Sequence, residues 1–276
     1  MPVELNWEFQ ILCMSHLIAR NKIVVVRPLL RKGASHIIIM IEIQNLSKKF
    51  KDLILDDITI ILPQKKVSII VGVNGSGKTT LLECITGLKK ITSGHIEING
   101  FSNESEKFKE QIFYIPSDFY LPSFMTGYEY LNFVLSRYPK SNIAGISKFL
   151  KLFDLEQDRN KLIESYSLGM KKKIQIIAAA LANTEYILGD EVFNGLDFET
   201  TLISLELFNK LSLKTGIVLV SHSKLIIDKY SENILLLSNG KMKPFTGTSN
   251  DLEKTVLSVE GINEKVKFIQ KYNFTN

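Results

Sequence analysis

Val67-Ser68-Ile69-Ile70-Val71-Gly72-Val73-Asn74-Gly75-Ser76-Gly77-Lys78-Thr79-Thr80 is the stretch around which the rest of the chain is organised. Residues 67–71 are apolar and mostly β-branched, the composition of a strand buried on both faces. Gly72 to Thr79 matches G-x-x-x-x-G-K-S/T at every position. Leu81-Leu82-Glu83-Cys84-Ile85 then reads as a helix, with Gly87 placed to stop it. A phosphate chain needs backbone N–H groups at close range, and side chains at Gly72, Gly75 and Gly77 would obstruct that approach or the dihedrals it demands. The loop runs into a helix N-terminus, whose free N–H groups favour an anion. Lys78 is a point charge for the β- and γ-phosphates, and the Thr79 hydroxyl is a ligand for Mg2+. Gly72, Val73, Asn74, Gly75, Ser76, Gly77, Lys78, Thr79 and Thr80 are therefore the candidate nucleoside-triphosphate site.

The composition sets wide bounds around this site. The chain has 276 residues, 45% hydrophobic and 23% charged, with a net charge of +5. This is an ordinary globular balance, long enough for one large core or a core with a subdomain. The mild positive charge suits an anionic ligand or a membrane surface and does not by itself argue for nucleic acid. Cys13 and Cys84 match no metal or redox spacing, which points to a reducing compartment. No run of 18 apolar residues is present. Glu4, Glu8, Arg20 and Lys22 are wrongly placed for a signal peptide. The pattern becomes regular at Met40, so residues 1–39 are expected to be an N-terminal extension, or to follow a start that is rarely used.

Strand character at Ile41–Gln44 and Leu55–Ile60, split by a polar turn at Lys51-Asp52, predicts an antiparallel pair. Phe50, just before the turn, reads either as a core aromatic or as a flat surface for a purine. His95–Gly100 reads as a strand ending in an Asn-Gly turn. Residues 102–110 read as a solvated connection, and Ile112–Ile115 as a strand stopped by Pro116. From Thr126 to Leu155 the period is helical, with expected faces Tyr130, Phe133, Val134 and Phe149, Leu152, Phe153. This is an α-rich insertion, about 117–165.

Tyr166-Ser167-Leu168-Gly169-Met170-Lys171-Lys172-Lys173 opens a helix with Ile174, Ile177, Ala178 and Leu181 on its apolar face. Ser167 reads as an N-cap, Gly169 as a small residue at a helix start, and the three lysines as a solvated face. Tyr186–Glu191 is an apolar strand ending in two carboxylates. Asp190 suits Mg2+ and Glu191 suits polarisation of water, against the plainer reading of a strand-end acid capping a turn. Ile217–Val220 ends in Ser221-His222, placing His222 at the same carboxyl edge.

Motif, order and spacing together resemble the ATP-binding subunit of an ABC transporter over about 40–245. The Walker A loop is Gly72–Thr79, the signature is similar to Tyr166–Met170, and Walker B is Ile187–Asp190 followed by Glu191. The D-loop resembles Asn194-Gly195-Leu196-Asp197, and His222 stands for the switch histidine. Ser167 to Asp190 is 23 residues and Glu191 to His222 is 31, spacings typical of that family. The fold class implied is α/β: a P-loop NTPase with a mainly parallel core sheet, an N-terminal antiparallel β subdomain and an inserted helical subdomain, spanning 40–276.

The resemblance implies an ATPase with ATP and Mg2+ as cofactors, working as a head-to-tail homo- or heterodimer. Ser167 and Gly169 would contact the γ-phosphate held by the partner, Glu191 and His222 would be catalytic, and Thr79 and Asp190 would hold the metal. Asp197 would link the two sites, and Phe50 would stack on adenine. The expected partner is a transmembrane permease, with no nucleic acid, and the location is cytoplasmic, peripheral on the inner face of the membrane. An exporter is expected. The alternative is a catalytically weak regulatory module paired with an active homologue. It is motivated by Ser117, which stands where the family carries a glutamine after Pro116. Leu168, Met170, Gly189 and Val192 are further departures from the family pattern.

Overall fold

The computed structural model describes residues 39–118, 120–257 and 262–272. All but the last residue of the N-terminal extension expected over 1–39 lies outside them. Chain order begins with β1 (Met40–Lys49), β2 (Leu53–Pro63), β3 (Val67–Val71) and α1 (Lys78–Ile85), then β4 (Ser93–Ile98) and β5 (Phe101–Ser102). Next come α2 (Glu106–Lys109), β6 (Ile112–Ile115), α3 (Gly127–Leu135), α4 (Ile146–Leu152), α5 (Leu168–Ala182), β7 (Tyr186–Asp190), α6 (Phe198–Leu211) and β8 (Gly216–Val220). The order closes with α7 (Lys224–Lys229), β9 (Ile234–Ser238), β10 (Lys241–Phe245), α8 (Ser249–Leu257) and α9 (Ile262–Lys271).

Among the described residues there are two sheets. One is antiparallel, in the order β2-β1-β4-β5, and the other runs β10-β9-β3-β8-β7-β6. In the second sheet only the β9/β10 pair is antiparallel. The central strands β3, β7 and β8 are buried at every residue, which accounts for their unbroken apolar runs. Parallel pairing of β3 with β8 and of β8 with β7 brings their carboxyl ends to one edge. Gly72, Glu191 and Ser221 each follow directly on one of these ends.

Tyr186 fastens one sheet to the other. Its hydroxyl donates to the Leu62 carbonyl at 2.7 Å and accepts from the Ile41 N–H at 3.2 Å. Its ring covers Gly216, where a Cβ would collide with it.

Two expected faces are corrected. In α3 the buried residues include Tyr130, Leu131 and Leu135, while Phe133 is exposed beside Arg137. In α4 Ile146 and Leu150 are buried, and Leu152 is exposed. Each segment has more apolar residues than one face can hold, so packing against the neighbouring elements selects the buried set. The segment 102–110 is also more than a solvated connection. It contains α2, capped by Ser105, with Phe108 fully buried and Asn103 bonded to the Cys84 carbonyl.

Candidate functional site

The loop after β3 takes the shape its glycines permit. Gly75 and Gly77 have φ of 81° and 99°, in the left-handed region. At Gly72 the constraint is space, since a Cβ there would strike the Leu237 carbonyl. α1 starts at Lys78. The Lys78 ammonium donates to the Gly72 and Val73 carbonyls at 2.9 and 3.0 Å, so the side chain curls back over its own loop. Burial pulls its pKa down, while Glu191 and Asp190 oppose that. The Ser76 hydroxyl is buried without a hydrogen-bond partner, the kind of orphan a phosphate oxygen would satisfy.

Asp190 closes β7 and is buried. The Thr79 hydroxyl donates to its Oδ2 at 2.6 Å, so the two expected metal ligands touch. A hydroxyl and a carboxylate side by side at the foot of a phosphate loop fit a hard divalent cation such as Mg2+. Glu191 adopts φ 48°, an uncommon conformation for a non-glycine residue, and its N–H donates to the Val220 carbonyl at 3.1 Å. The turn separates two consecutive carboxylates: Asp190 goes to Thr79, and Glu191 to His222 Nε2, 3.4 Å away. Burial raises the Glu191 pKa and neighbouring Asp190 adds to it; Lys78, the Asn194 side chain and the His222 N–H work against the rise. His222 moves down, mainly by burial and also through Lys78. A carboxylate with a raised pKa beside a largely neutral imidazole is a suitable proton acceptor at neutral pH.

Two strand-end departures compensate each other. A side chain at Gly189 would overlap Val192 Cγ2 and crowd Leu219. Val192 is fully buried and fills the volume that the glycine leaves open.

Ser167 caps α5 by accepting from the Met170 N–H at 3.2 Å, and it is exposed. A Cβ on Gly169 would lie 3.2 Å from the Gly195 carbonyl, so the 194–197 segment packs on the start of α5. Asp197 caps α6, accepting from the Thr200 N–H at 2.7 Å. Phe50 is 53% exposed, with Lys48 Nζ 4.5 Å from its ring centre, so it is a surface ring and not a core residue.

Lys172 overturns the solvated-face reading of the lysine run. It is 1% exposed, and its ammonium donates to the carbonyls of Pro116 at 2.9 Å and Ser117 at 3.3 Å. Nothing local distinguishes it from Lys171 and Lys173; only the helix phase of the buried Ile176 and Ala179 points inward at this position. Ser117 itself lies, with Thr79 and Gln175, in the wall of a cleft of about 500 Å3.

The family model described as ABC transporter matches residues 55–194. A methionine import ATP-binding protein from Clostridium acetobutylicum is 30% identical over 83% of this chain and 80% of its own length. A phosphonates import ATP-binding protein from Synechococcus sp. is 29% identical over 79% of this chain and 89% of its own. A solved structure of the ATP-binding subunit of an ABC transporter superposes with a TM-score of 0.71 at 28% identity, covering 84% of this chain and all of the other. With the phosphate loop, the strand-end acids and the histidine converging on one sheet edge, this chain belongs to the ABC transporter family as one of its ATP-binding ATPases.

Proposed function

We propose that this chain hydrolyses ATP in a head-to-tail dimer and that the cycle drives a separate transmembrane permease. The convergence of Thr79, Asp190, Glu191 and His222 around the Lys78 loop carries the reading. The loop N–H groups and Lys78 would hold the β- and γ-phosphates, with the ammonium exchanging its loop carbonyls for phosphate oxygens. Thr79 and Asp190 would hold Mg2+, which when bound offsets phosphate charge. Glu191 would accept the proton of the attacking water, and His222 would orient that carboxylate and contact the γ-phosphate. Phe50 would stack on adenine.

Ser167 and the Gly169 N–H of one subunit would close over the γ-phosphate held by the other, with Asp197 at the junction. No helix among the described residues is long and apolar enough to cross a membrane. Attachment to the inner membrane face would come through the permease. Both relatives above are named for import, so the exporter expectation has no support from them and is not part of the proposal.

The test is Glu191→Gln. Mg2+-dependent phosphate release should fall by about 10²–10⁴-fold, the usual worth of a general base, with ATP affinity retained. Undiminished turnover would remove Glu191 from its role. A wild-type protein that binds ATP tightly but does not turn it over, even with its permease, would favour the regulatory module suggested by Ser117.

A further inference from the structure

Lys172 joins two parts of the protein that both bear on the site. It sits in the second turn of α5, the helix whose first turn carries Gly169 and whose cap is Ser167. Its ammonium ends on the loop after β6, at the Pro116 and Ser117 carbonyls. That loop lines the same cleft as Thr79. The strand ends at Ile115, so these two carbonyls lie beyond the β6/β7 ladder. Serine at 117 is a shorter side chain than the glutamine the family carries there, so the loop depends more on how its backbone is held.

We propose that Lys172 is a positioning residue that fastens the 116–118 loop to the signature helix, so that the cleft wall beside Thr79 and the Ser167–Gly169 surface move as one body. The role rests on the ATPase reading above. A buried ammonium is costly to place, and a side chain present only to fill space would be better served by an apolar residue of the same length. Here the charge meets two carbonyls and the field of Asp190, Asp118 and Glu191, while burial still draws its pKa down to about 8. The contact also explains how a chain with serine at 117 keeps its loop in register with α5. The hydrogen bonds of the link run to backbone carbonyls, and the Asp118 carboxylate of the same loop adds its field.

The experiment compares the full chain with Lys172→Met, which keeps length and removes the donor, and with Lys172→Arg, which keeps charge and donor. Amide hydrogen exchange without nucleotide should quicken about tenfold at 117–118 and 120–121 in Lys172→Met, as expected for a lost charge-assisted hydrogen bond, and stay unchanged in β3 and β8. The kcat for ATP should fall about tenfold with KM within a factor of three, a misplacement effect, and Lys172→Arg should recover most of it. The thermal midpoint of Lys172→Met should be unchanged or higher. Wild-type exchange and wild-type kcat in Lys172→Met would overturn the proposal. So would a kcat loss that tracks a lower midpoint and that arginine does not rescue, since Lys172 would then be only a core residue. A wild-type chain without ATPase activity would end the ATPase reading, while the exchange measurement would still decide whether Lys172 holds the loop.

Discussion

The Thr79 hydroxyl donates to Asp190 Oδ2 across 2.6 Å, joining the foot of the phosphate loop to the end of β7. Asp190 is 1% exposed, so this bond serves a buried carboxylate. Thr79→Val keeps the shape and removes the donor. Loss of a hydrogen bond to a charged group should lower stability by about 1.5–3 kcal/mol. Denaturant unfolding of the nucleotide-free chain reads this directly. In the same variant the Mg2+ concentration that half-saturates activity should rise by about 10–100-fold, the range seen when groups around a metal are removed. An unchanged Mg2+ midpoint would take Thr79 out of the metal site.

The acid limb of the rate profile follows from Glu191. Burial and Asp190 lift its pKa above the ordinary 4.5, so its basic form is lost at a higher pH than for an exposed glutamate. The kcat should therefore fall as pH drops through that raised value. His222, whose pKa is lowered, stays neutral until the pH is below 6.5. Asn194 donates to the Glu191 carboxylate and holds its pKa down, so Asn194→Ala should move the acid limb of kcat to higher pH. The stability sign is opposite to that of a salt-bridged acid. A raised folded pKa means that the native state loses stability as pH climbs through the window above 4.5. Glu191→Gln should then unfold at least as high as wild type at pH 7.5. A lower midpoint would contradict the burial penalty on which this sign depends.

Gly189 and Val192 should behave as a coupled pair. Gly189→Ala would force a methyl into Val192 Cγ2 and Leu219 Cδ2, an overpacking that typically costs about 1–3 kcal/mol. Val192→Ala alone opens a void in a fully buried site and also destabilises. In the double variant the new methyl occupies part of that void, so the combined loss should be smaller than the sum of the two. Unfolding midpoints of the four proteins measure the coupling. Strict additivity would refute the packing account.

Phe50 offers a separation of binding from folding. Its ring is half exposed on the turn between β1 and β2, so Phe50→Ala should leave the thermal midpoint unchanged. Loss of a base-stacking surface costs about 1–3 kcal/mol, which weakens ATP binding by roughly 5–150-fold. Fluorescent-nucleotide titration tests this, and equal affinity in the two proteins would leave Phe50 without a role in the site.

Most of the candidate site is legible in the sequence because its parts are local. A phosphate loop is eight consecutive residues between a strand and a helix, and the acids of β7 follow an apolar run without interruption. Strand ends and a helix start are backbone properties, and backbone geometry answers to short-range pattern. Phe50 remained open between two readings because exposure at a turn depends on what packs over it. The α3 and α4 faces differ from the periodic pattern for the same reason, since Phe133 and Leu152 have the right period but stay about half exposed.

By itself the sequence determined the phosphate loop, the alternation of strands and helices, and the order in which Lys78, Ser167, Asp190, Glu191 and His222 arrive. Each of these depends on a few adjacent residues. The tertiary structure alone decided which lysine of 171–173 is buried and what it holds. It also decided that Gly189 and Val192 answer each other, and that Tyr186 bonds across from one sheet to the other. Those outcomes join residues between 3 and 145 positions apart, through close packing and the need to satisfy buried polar groups. Such contacts exist only once the strands have registered and the helices have docked.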